Sequence, residues 1–399
     1  MHAQIRKSQS GIQLALKKLK QSDWYKYTLI IETLAIFTIL QLMTSGTFLT
    51  TRNLSNLLMQ GVTCSIIAIT MVMIIVTCNA DLAAGSIVGC LGTIAAVLQV
   101  KAGLGSAATI AITLVAGILA GAWHGYWIAY RKLPAFLVTL SGQLLFKGIT
   151  LLVGQGNTIG PMSKSFTMFG HDYLPSIGSS GHVHLLSLLI TLAILFIYLI
   201  LSVRGRAAKR KSGLDVGANW KYWLKTLLIM GVCFAIASIM IFYRGFTYAI
   251  VILLILAGVF HFVITSTAFG RAVFAIGGNR DAARLSGINI AKTEMTIFVL
   301  HGLATAVAAI VFLGRIGQAT AAAGTAFEFT AITGCIVGGT SIRGGEGNVF
   351  GAIMGTMLMA GLDNGMSLLN LGAEYQYVIK GIVLLLAVAI DVASKEKEV

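Results

Sequence analysis

The sequence predicts an all-α protein that crosses a membrane many times, and three observations support this fold class. Hydrophobic residues make up 57% of the 399 residues and charged residues only 11%, less than half of the roughly 25% typical of soluble domains. Glycine, which is more frequent in membrane helices than in soluble ones, occurs 45 times. The apolar runs approach the roughly 20 residues that a helix needs to cross the hydrocarbon core.

Twelve apolar segments are predicted to span the membrane, in chain order 28–45, 55–78, 82–100, 107–130, 133–153, 183–203, 225–243, 246–266, 294–313, 327–342, 348–369 and 376–393. When both termini are placed in the cytoplasm, 22 of the 29 basic residues fall on the cytoplasmic side and five fall outside. Because cytoplasmic loops are enriched in Lys and Arg, this distribution predicts the orientation. The net charge of +15 therefore indicates membrane topology rather than nucleic-acid binding.

The spans and loops divide the chain into six parts. We predict a basic amphipathic segment at 1–27, an N-terminal membrane half at 28–203, a basic loop with two further spans at 204–266, a cytoplasmic loop at 267–293, a C-terminal membrane half at 294–393 and a tail at 394–399. The first segment is predicted to lie on the cytoplasmic membrane surface. A disordered basic tail is the alternative.

The sequence contains no motif for ATP hydrolysis or for covalent catalysis. It has no GxxxxGK[ST] loop to hold a triphosphate, and no HExxH or GxSxG motif. A fragment resembling an ATPase signature, LSGQ at 140–143, lies inside a predicted span. We therefore predict no catalytic residues, no metal site, no cofactor and no enzymatic activity.

Two glycine-rich breaks interrupt apolar runs. The first, TCNADLAAGSIVGCLGT, contains Asn79, Asp81 and Ser86, and its glycines continue at four-residue spacing. The second, GGTSIRGGEGNVFGAIMGT, contains five glycines as candidate hinges, Gly338, Gly339, Gly344, Gly345 and Gly347. Irregular backbone at membrane depth is tolerated where it is buried in protein, so these breaks are either re-entrant elements or ordinary cytoplasmic turns. The glycine spacing predicts closely packed helices.

Polar side chains within or near the spans are candidates for a translocation pathway. They are Asn79, Asp81, Ser86, Gln143, Lys147, Asp363 and Asn364. Lys147 is deep enough in its span to suggest a functional site, whereas Lys380 is close enough to the surface to snorkel. Asp363 and Asn364 are predicted either to face sugar hydroxyls or to cap a helix, and capping is favoured.

A charged segment, FGRAVFAIGGNRDAARLSGINIAKTE at 269–294, lies between two spans. Its Gly277–Gly278 pair lacks the spacing of a dinucleotide site. Asn279 is a predicted N-cap, Asp281 lies in the first turn and Gly287 follows the last one. A helix this short is unstable alone, so we predict that it packs against another surface on the cytoplasmic side.

Five motifs together resemble the permease subunits of bacterial ABC sugar importers of the ribose, xylose and galactose class. They are NADLAAGS, LPAFLVTLSGQLLFKGI, AIGGNRDAARLSGI, VGGTSIRGGEGNVFGAIMGT and GLDNGMSLLN, and the resemblance covers residues 79–393. The two additional spans near 205–266 resemble the longer xylose and multiple-monosaccharide permeases rather than the ten-span ribose type.

The resemblance implies an ATP-driven importer of a monosaccharide. It implies a second permease copy, a cytoplasmic ATPase with tandem domains, an extracytoplasmic sugar-binding protein that contacts loop 154–182, and a surrounding lipid membrane. It also implies that the charged segment couples to the ATPase through Gly277, Gly278, Asn279, Arg280, Asp281, Ala283, Arg284, Ser286 and Gly287. The alternatives are an ion-coupled sugar transporter and an ABC permease for another solute, such as an amino acid.

Overall fold

A computed structural model describes residues 28–176, 183–214 and 216–395. These residues form fifteen α-helices, and within these three ranges the only β-pairing consists of two isolated bridges, Ile159 with Ala319 and Tyr173 with Thr247. The predicted all-α class is therefore confirmed. The predicted amphipathic segment 1–27 lies outside the described residues.

The helices follow one another in the order α1 Thr28–Met43, α2 Thr51–Val76, α3 Ala84–Ala96, α4 Ser106–Gly125, α5 Ala135–Gly154, α6 Lys164–His171, α7 Leu185–Lys211, α8 Asn219–Ile241, α9 Tyr248–Ser266, α10 Ala268–Gly278, α11 Arg280–Leu285, α12 Ile290–Ile316, α13 Phe327–Val337, α14 Val349–Leu368 and α15 Ala373–Lys395. Helices α3 and α4 each continue into a π-helical turn, at Val97–Lys101 and Tyr126–Tyr130.

Each of the twelve predicted spans coincides with a helix, but the helices differ in length. Eight of those in the described ranges are long and apolar enough to cross a membrane, namely α2, α3 and α4 with their π-helical turns, α5, α7, α8, α9 and α12. The predicted spans 28–45, 327–342, 348–369 and 376–393 correspond to α1, α13, α14 and α15. Helix α13 has 11 residues and is about 17 Å long, roughly half of the hydrocarbon thickness.

The predicted span 327–342 is therefore too long. The helix ends at Val337 because Gly338 lies against the backbone of Gly351, and Gly339 has a φ of +88°. On the other side of α13, residues 317–326 form turns and bends rather than helix. The predicted basic loop 204–225 is also shorter than expected, because α7 continues to Lys211 through residues that favour helix.

Helices α2 and α12 form the centre of the molecule. Helix α2 packs against α9, α12, α13 and α14, and α12 packs against α3, α4 and α6. The most apolar 18-residue stretch of α2 is 94% buried inside the protein, whereas that of α7 is 11% buried. The corresponding stretch of α8 is 17% buried, so α7 and α8 lie at the periphery.

The predicted close packing of glycine-rich helices is confirmed. A Cβ atom on Gly355 would collide with the carbonyl oxygen of Gly334, and one on Gly351 would collide with that of Gly338. These glycines let α13 and α14 approach each other through their backbones, as small residues do in membrane helix pairs.

Candidate functional site

The two glycine-rich breaks and the charged segment meet at one end of α2. The backbone N–H of Gly345 donates to the carbonyl oxygen of Val76 at 3.0 Å. The thiol of Cys78 donates to the carbonyl oxygen of Arg343 at 3.2 Å. Gly277, the last-but-one residue of α10, packs so closely on Val76 and Gly345 that a Cβ atom would collide with both. Three segments that are far apart in the sequence therefore form one backbone junction.

Four of the five glycine-hinge candidates have identifiable roles in or near this junction. Gly344 and Gly345 have φ values of +83° and +76°, a region that favours glycine, and both lie beside Gly277. Gly347 packs against Val72 and Val76, and Gly338 packs against Gly351. These contacts give the glycines a packing role, and their role as hinges stays a prediction.

Helix α11 has the ends that the sequence predicted. The side chain of Asn279 accepts a hydrogen bond from the backbone N–H of Ala282 at 2.9 Å, and Asp281 lies in the first turn. Gly287 follows the helix with a φ of +82°. Ala283 is the residue that the helix buries. Sequence analysis did not predict that Gly277 and Gly278 end a separate helix, α10.

The outer surface of α11 is exposed. Asp281 and Arg284 form an ion pair with each other at 3.3 Å, and their side chains are 83% and 71% exposed. Leu285 is an unusual member of this surface, because its side chain is 85% exposed although it is apolar. Ser286 is exposed too, and its hydroxyl donates to the carbonyl oxygen of Ala282 at 2.9 Å.

Arg280 connects α11 to the membrane helices. Its guanidinium donates two hydrogen bonds to the carboxylate of Glu294 in α12, at 2.6 and 3.0 Å. This hydrogen bonding to Glu294 raises the pKa of Arg280 above its ordinary value. The side-chain amide of Asn79 donates to the same carboxylate at 3.4 Å. Glu294 is therefore shared by the charged segment and the first glycine-rich break.

Two turns further along α12, His301 holds Asp81. The Nε2 atom of His301 lies 3.3 Å from the carboxylate of Asp81, and its Nδ1 atom lies 2.8 Å from the hydroxyl of Thr70. Asp81 of the first break and Thr70 of α2 therefore contact opposite nitrogens of one imidazole ring. Asp81 also accepts a hydrogen bond from the N–H of Ala83 at 2.7 Å.

The starts of the two short helices α3 and α13 face each other. A Cβ atom on Gly85 would collide with the carboxylate of Glu328 and with the carbonyl oxygen of Gly324. The side-chain amide of Gln143 donates to Glu328 at 3.1 Å. Helix N-termini carry partial positive charge, so the N-termini of α3 and α13 would repel each other. The negative charges of the buried Asp81 and Glu328 carboxylates offset this repulsion. Ser86 is in the first turn of α3.

The remaining pathway candidates lie apart from this cluster. Lys147 donates to the carbonyl oxygen of Ala321 at 2.7 Å, which ties α5 to the non-helical segment 317–326. The interpretation of Asp363 and Asn364 as caps is wrong, because α14 continues to Leu368. Asp363 forms an ion pair with Lys380 at 2.8 Å. The ammonium group of Lys380 therefore has a charged partner within the protein as well as access to the surface. Asn364 accepts a hydrogen bond from Asn53 at 2.7 Å.

Sequence analysis missed two residues that the structure places at the centre, namely Glu294 and Glu328. Each lies in or at the edge of a predicted span and is almost fully buried. The signal was available, because the chain has only 14 acidic residues and an ionisable residue within a membrane indicates a functional site by default.

Comparison with known proteins identifies relatives along nearly the whole chain. Residues 53–388 match the family described as branched-chain amino acid transport system / permease component. The xylose transport system permease protein XylH of Escherichia coli K12 is 39% identical over 385 residues, which cover 95% of this chain and 94% of that protein. The corresponding protein of Haemophilus influenzae is 38% identical over 95% of this chain and 99% of its own length.

A more distant relative transports another sugar. The ribose import permease protein RbsC of Escherichia coli K12 is 29% identical over 347 residues, which cover 87% of this chain and 88% of that protein. No solved structure matches the chain. The two kinds of relative are both named as permeases but differ in the sugar that their names specify.

Proposed function

Since the chain belongs to this family of transport-system permease components, we propose that it carries xylose inward across the cytoplasmic membrane as the permease subunit of an ATP-driven importer. The observation that carries the choice of sugar is the 38–39% identity to two xylose permeases over 95% of the chain. The ribose permease is less similar, at 29% over 87% of the chain. A pentose is therefore the first substrate to test.

The cytoplasmic ATPase docks on α11 in this proposal. The exposed Leu285 and the charged pair Asp281–Arg284 form the contact surface. Asn279 and Gly287 fix the two ends of the helix, so the surface has a defined shape. The buried Ala283 packs α11 against the membrane helices. A movement of the ATPase at the exposed surface of α11 would therefore be transmitted to those helices.

Movement of α11 reaches the interior through Glu294. Arg280 and Asn79 of the first break both donate to the same oxygen of this carboxylate. Two turns away on the same helix, His301 holds Asp81 of that break. A shift of α11 relative to α12 would therefore displace residues 77–83 and with them the start of α3. To switch the permease between two conformations in this way, the ATPase must favour one of them by several kcal/mol.

The translocation pathway runs along the contact between two copies of the permease. The candidates closest to the coupled break are Asn79, Asp81, Ser86 and Gln143, and Lys147, Asp363 and Asn364 lie further along. A sugar-binding protein would deliver xylose at the opposite end, where loop 154–182 contains α6 packed on the last turns of α12. Gly170 of α6 lies directly against Gly314 and Arg315, so this loop has a firm attachment to the central helix.

The proposal is tested with the permease reconstituted in lipid vesicles together with its ATPase and its binding protein. Xylose should stimulate ATP hydrolysis and enter the vesicles, with a smaller response to ribose and none to leucine. Uptake should persist in the presence of a protonophore, because ATP and not an ion gradient drives it. Uptake that stops with the protonophore and ignores ATP would assign the chain to ion-coupled transport, and a response to leucine alone would overturn the choice of a sugar.

A further inference from the structure

The peripheral hairpin formed by the end of α7 and the start of α8 carries an unusual concentration of positive charge. Residues 204–225 contain seven Lys and Arg residues and one acidic residue, Asp215. We propose that this hairpin binds the phosphate headgroups of anionic phospholipids in the cytoplasmic leaflet. The proposal rests on the orientation given above but not on the substrate or on the coupling role of α11.

Aromatic residues mark the depth of the headgroups on α8. Trp220 and Trp223 at its start are 65% and 46% exposed, and Leu224, Leu227 and Leu228 directly after them are 55–62% exposed. Exposed Trp residues next to exposed aliphatic residues are typical of the membrane–water boundary. Lys221 lies between these tryptophans and Lys225 follows the second one, so their ammonium groups reach the level of the lipid phosphates.

The end of α7 crosses the same boundary. Leu201 and Val203 are exposed apolar residues, and Arg204 follows them directly. The hydroxyl of Ser202 lies 2.8 Å from that of Tyr222, which fixes the two helices at equal depth. Lys209 and Lys211 lie five and seven residues beyond Arg204, about 7.5–10.5 Å further along the helix. This distance is close to the Debye length of about 8 Å at physiological ionic strength, so their charges act on the same lipid surface.

Arg206 holds the hairpin closed and leaves the other basic residues free for a ligand. Its guanidinium donates to the carbonyl oxygen of Gly217 at 3.0 Å and to the side chain of Asn219 at 2.8 Å, and it stacks 4.2 Å above the ring of Tyr222. The other six basic residues of the hairpin are Arg204, Lys209, Arg210, Lys211, Lys221 and Lys225. All six are exposed, and none of them has an acidic partner among the described residues.

The position of the hairpin favours lipid over the ATPase as the partner. Helix α11, the proposed ATPase contact, packs against α10 and α12, whereas α8 packs against α7 and α2. The topology of a membrane protein requires positive charge on the cytoplasmic side, but it does not require the ordered arrangement that Arg206 imposes. Each Lys or Arg at the surface strengthens binding to anionic lipid roughly fivefold, so six of them form a strong site.

The test compares lipid retention by two charge-matched variants of the full chain. Lys221→Gln/Lys225→Gln removes two charges at the headgroup level. Arg131→Gln/Lys132→Asn removes two exposed charges from the loop before α5, and Asn suits the φ of +57° at position 132. Each protein is extracted from nanodiscs of equal parts phosphatidylglycerol and phosphatidylcholine, and the bound lipids are counted by native mass spectrometry.

We expect the α8 variant to lose at least tenfold in affinity for phosphatidylglycerol, with unchanged phosphatidylcholine binding and an unchanged Tm. The loop variant should retain phosphatidylglycerol as the wild type does. Equal retention by all three proteins, or an equal loss in both variants, would overturn the proposal. So would an α8 variant that keeps phosphatidylglycerol but no longer co-purifies with the ATPase. The measurement needs neither sugar nor ATP, so it is independent of the transport assay.

Discussion

Arg280 and Glu294 form a two-point ion pair across the junction between the charged segment and the membrane helices. The Arg280 side chain is 55% exposed, whereas the Glu294 side chain is 2% exposed, and their closest atoms are 2.6 Å apart. Such forked pairs fix orientation as well as distance. Because Asn79 contacts the same carboxylate, the pair connects an exposed helix to a buried break.

Replacing Glu294 with Gln should uncouple ATP hydrolysis from transport. The amide keeps the shape but loses the charge that holds Arg280, a hydrogen bond worth about 1.5–3 kcal/mol. We expect xylose uptake by reconstituted vesicles to fall by about tenfold or more while the ATPase still co-purifies. Thr296→Ala, an exposed change half a turn away on α12, is the control. Normal uptake by Glu294→Gln would show that this carboxylate transmits nothing.

Shortening Leu285 should weaken docking of the ATPase. Its side chain is 85% exposed, so Leu285→Ala has little effect on folding of the permease alone. Burial of a leucine at an interface is worth about 1.5–3 kcal/mol, and we expect roughly tenfold less ATPase in pull-down experiments. Ile316→Ala, a similar change at an exposed isoleucine at the other end of α12, should have no effect.

Charge reversal by Arg284→Glu or Asp281→Arg should weaken the pull-down as well, with membrane insertion intact.

Asp81→Asn should destabilise the protein through loss of its contact with His301. The amide still accepts the hydrogen bond from Ala83, so the expected cost is that of altering one buried polar contact, about 1–3 kcal/mol. This is measured as a lower Tm in detergent. Because both residues contribute to one contact, Asp81→Asn/His301→Asn should cost less than the sum of the single changes. Additive effects would mean that the two side chains do not interact.

Gly355→Ala should destabilise the pair formed by α13 and α14. The new methyl group would collide with the carbonyl oxygen of Gly334, and overpacking of this kind typically costs about 1–3 kcal/mol. Gly258 in the middle of α9 has open space around it, and Gly258→Ala should raise stability by up to about 1 kcal/mol. Melting curves of the two variants should therefore shift in opposite directions, and equal shifts would contradict the close contact.

Lys380→Met should leave the carboxylate of Asp363 without its charged partner. The two side chains are 18% and 29% exposed, so the expected cost is about 1–2 kcal/mol, below the 3–5 kcal/mol of a fully buried pair. A second change, Asp363→Asn, should restore part of the lost Tm because it removes the uncompensated charge. If the double variant melts no higher than Lys380→Met, the pair does not contribute through its charges.

Local signals in the sequence predicted much of the fold and one part of the site. Hydropathy predicted a helix at each of the twelve segments, although only eight of the described helices are long and apolar enough to cross a membrane. Cap residues located both ends of α11, because these features depend on residues close together in the chain. Glycine spacing predicted that helices from these segments pack closely, as α13 and α14 do. The partner of each glycine could not be predicted, since Gly277, Gly345 and Val76 meet only after the helices assemble.

The polar network could be predicted only in part. Asp81 and Asn79 were selected because they interrupt an apolar run, but their partners Glu294 and His301 lie more than 200 residues away. Lys147 was recognised as an ion at membrane depth and Lys380 as one close to the surface. Their partners, a carbonyl oxygen of the segment 317–326 and Asp363, depend on how α5 and α15 pack. Pairing across such distances is set by tertiary structure, and a single sequence contains no direct signal for it.

The half-length helix α13 has a consequence for how the chain enters the bilayer. Eleven residues preceded by non-helical backbone leave amide groups unpaired and cannot partition into lipid alone, because each unpaired group costs several kcal/mol there. The segment must therefore move into the bilayer beside partners that are already inserted. Gly324 lies against Gly85, and Cys335 donates to the carbonyl oxygen of Ala68. Insertion of the C-terminal half thus depends on prior assembly of α2 and α3. These two helices are synthesised before α13, so they are in the membrane first.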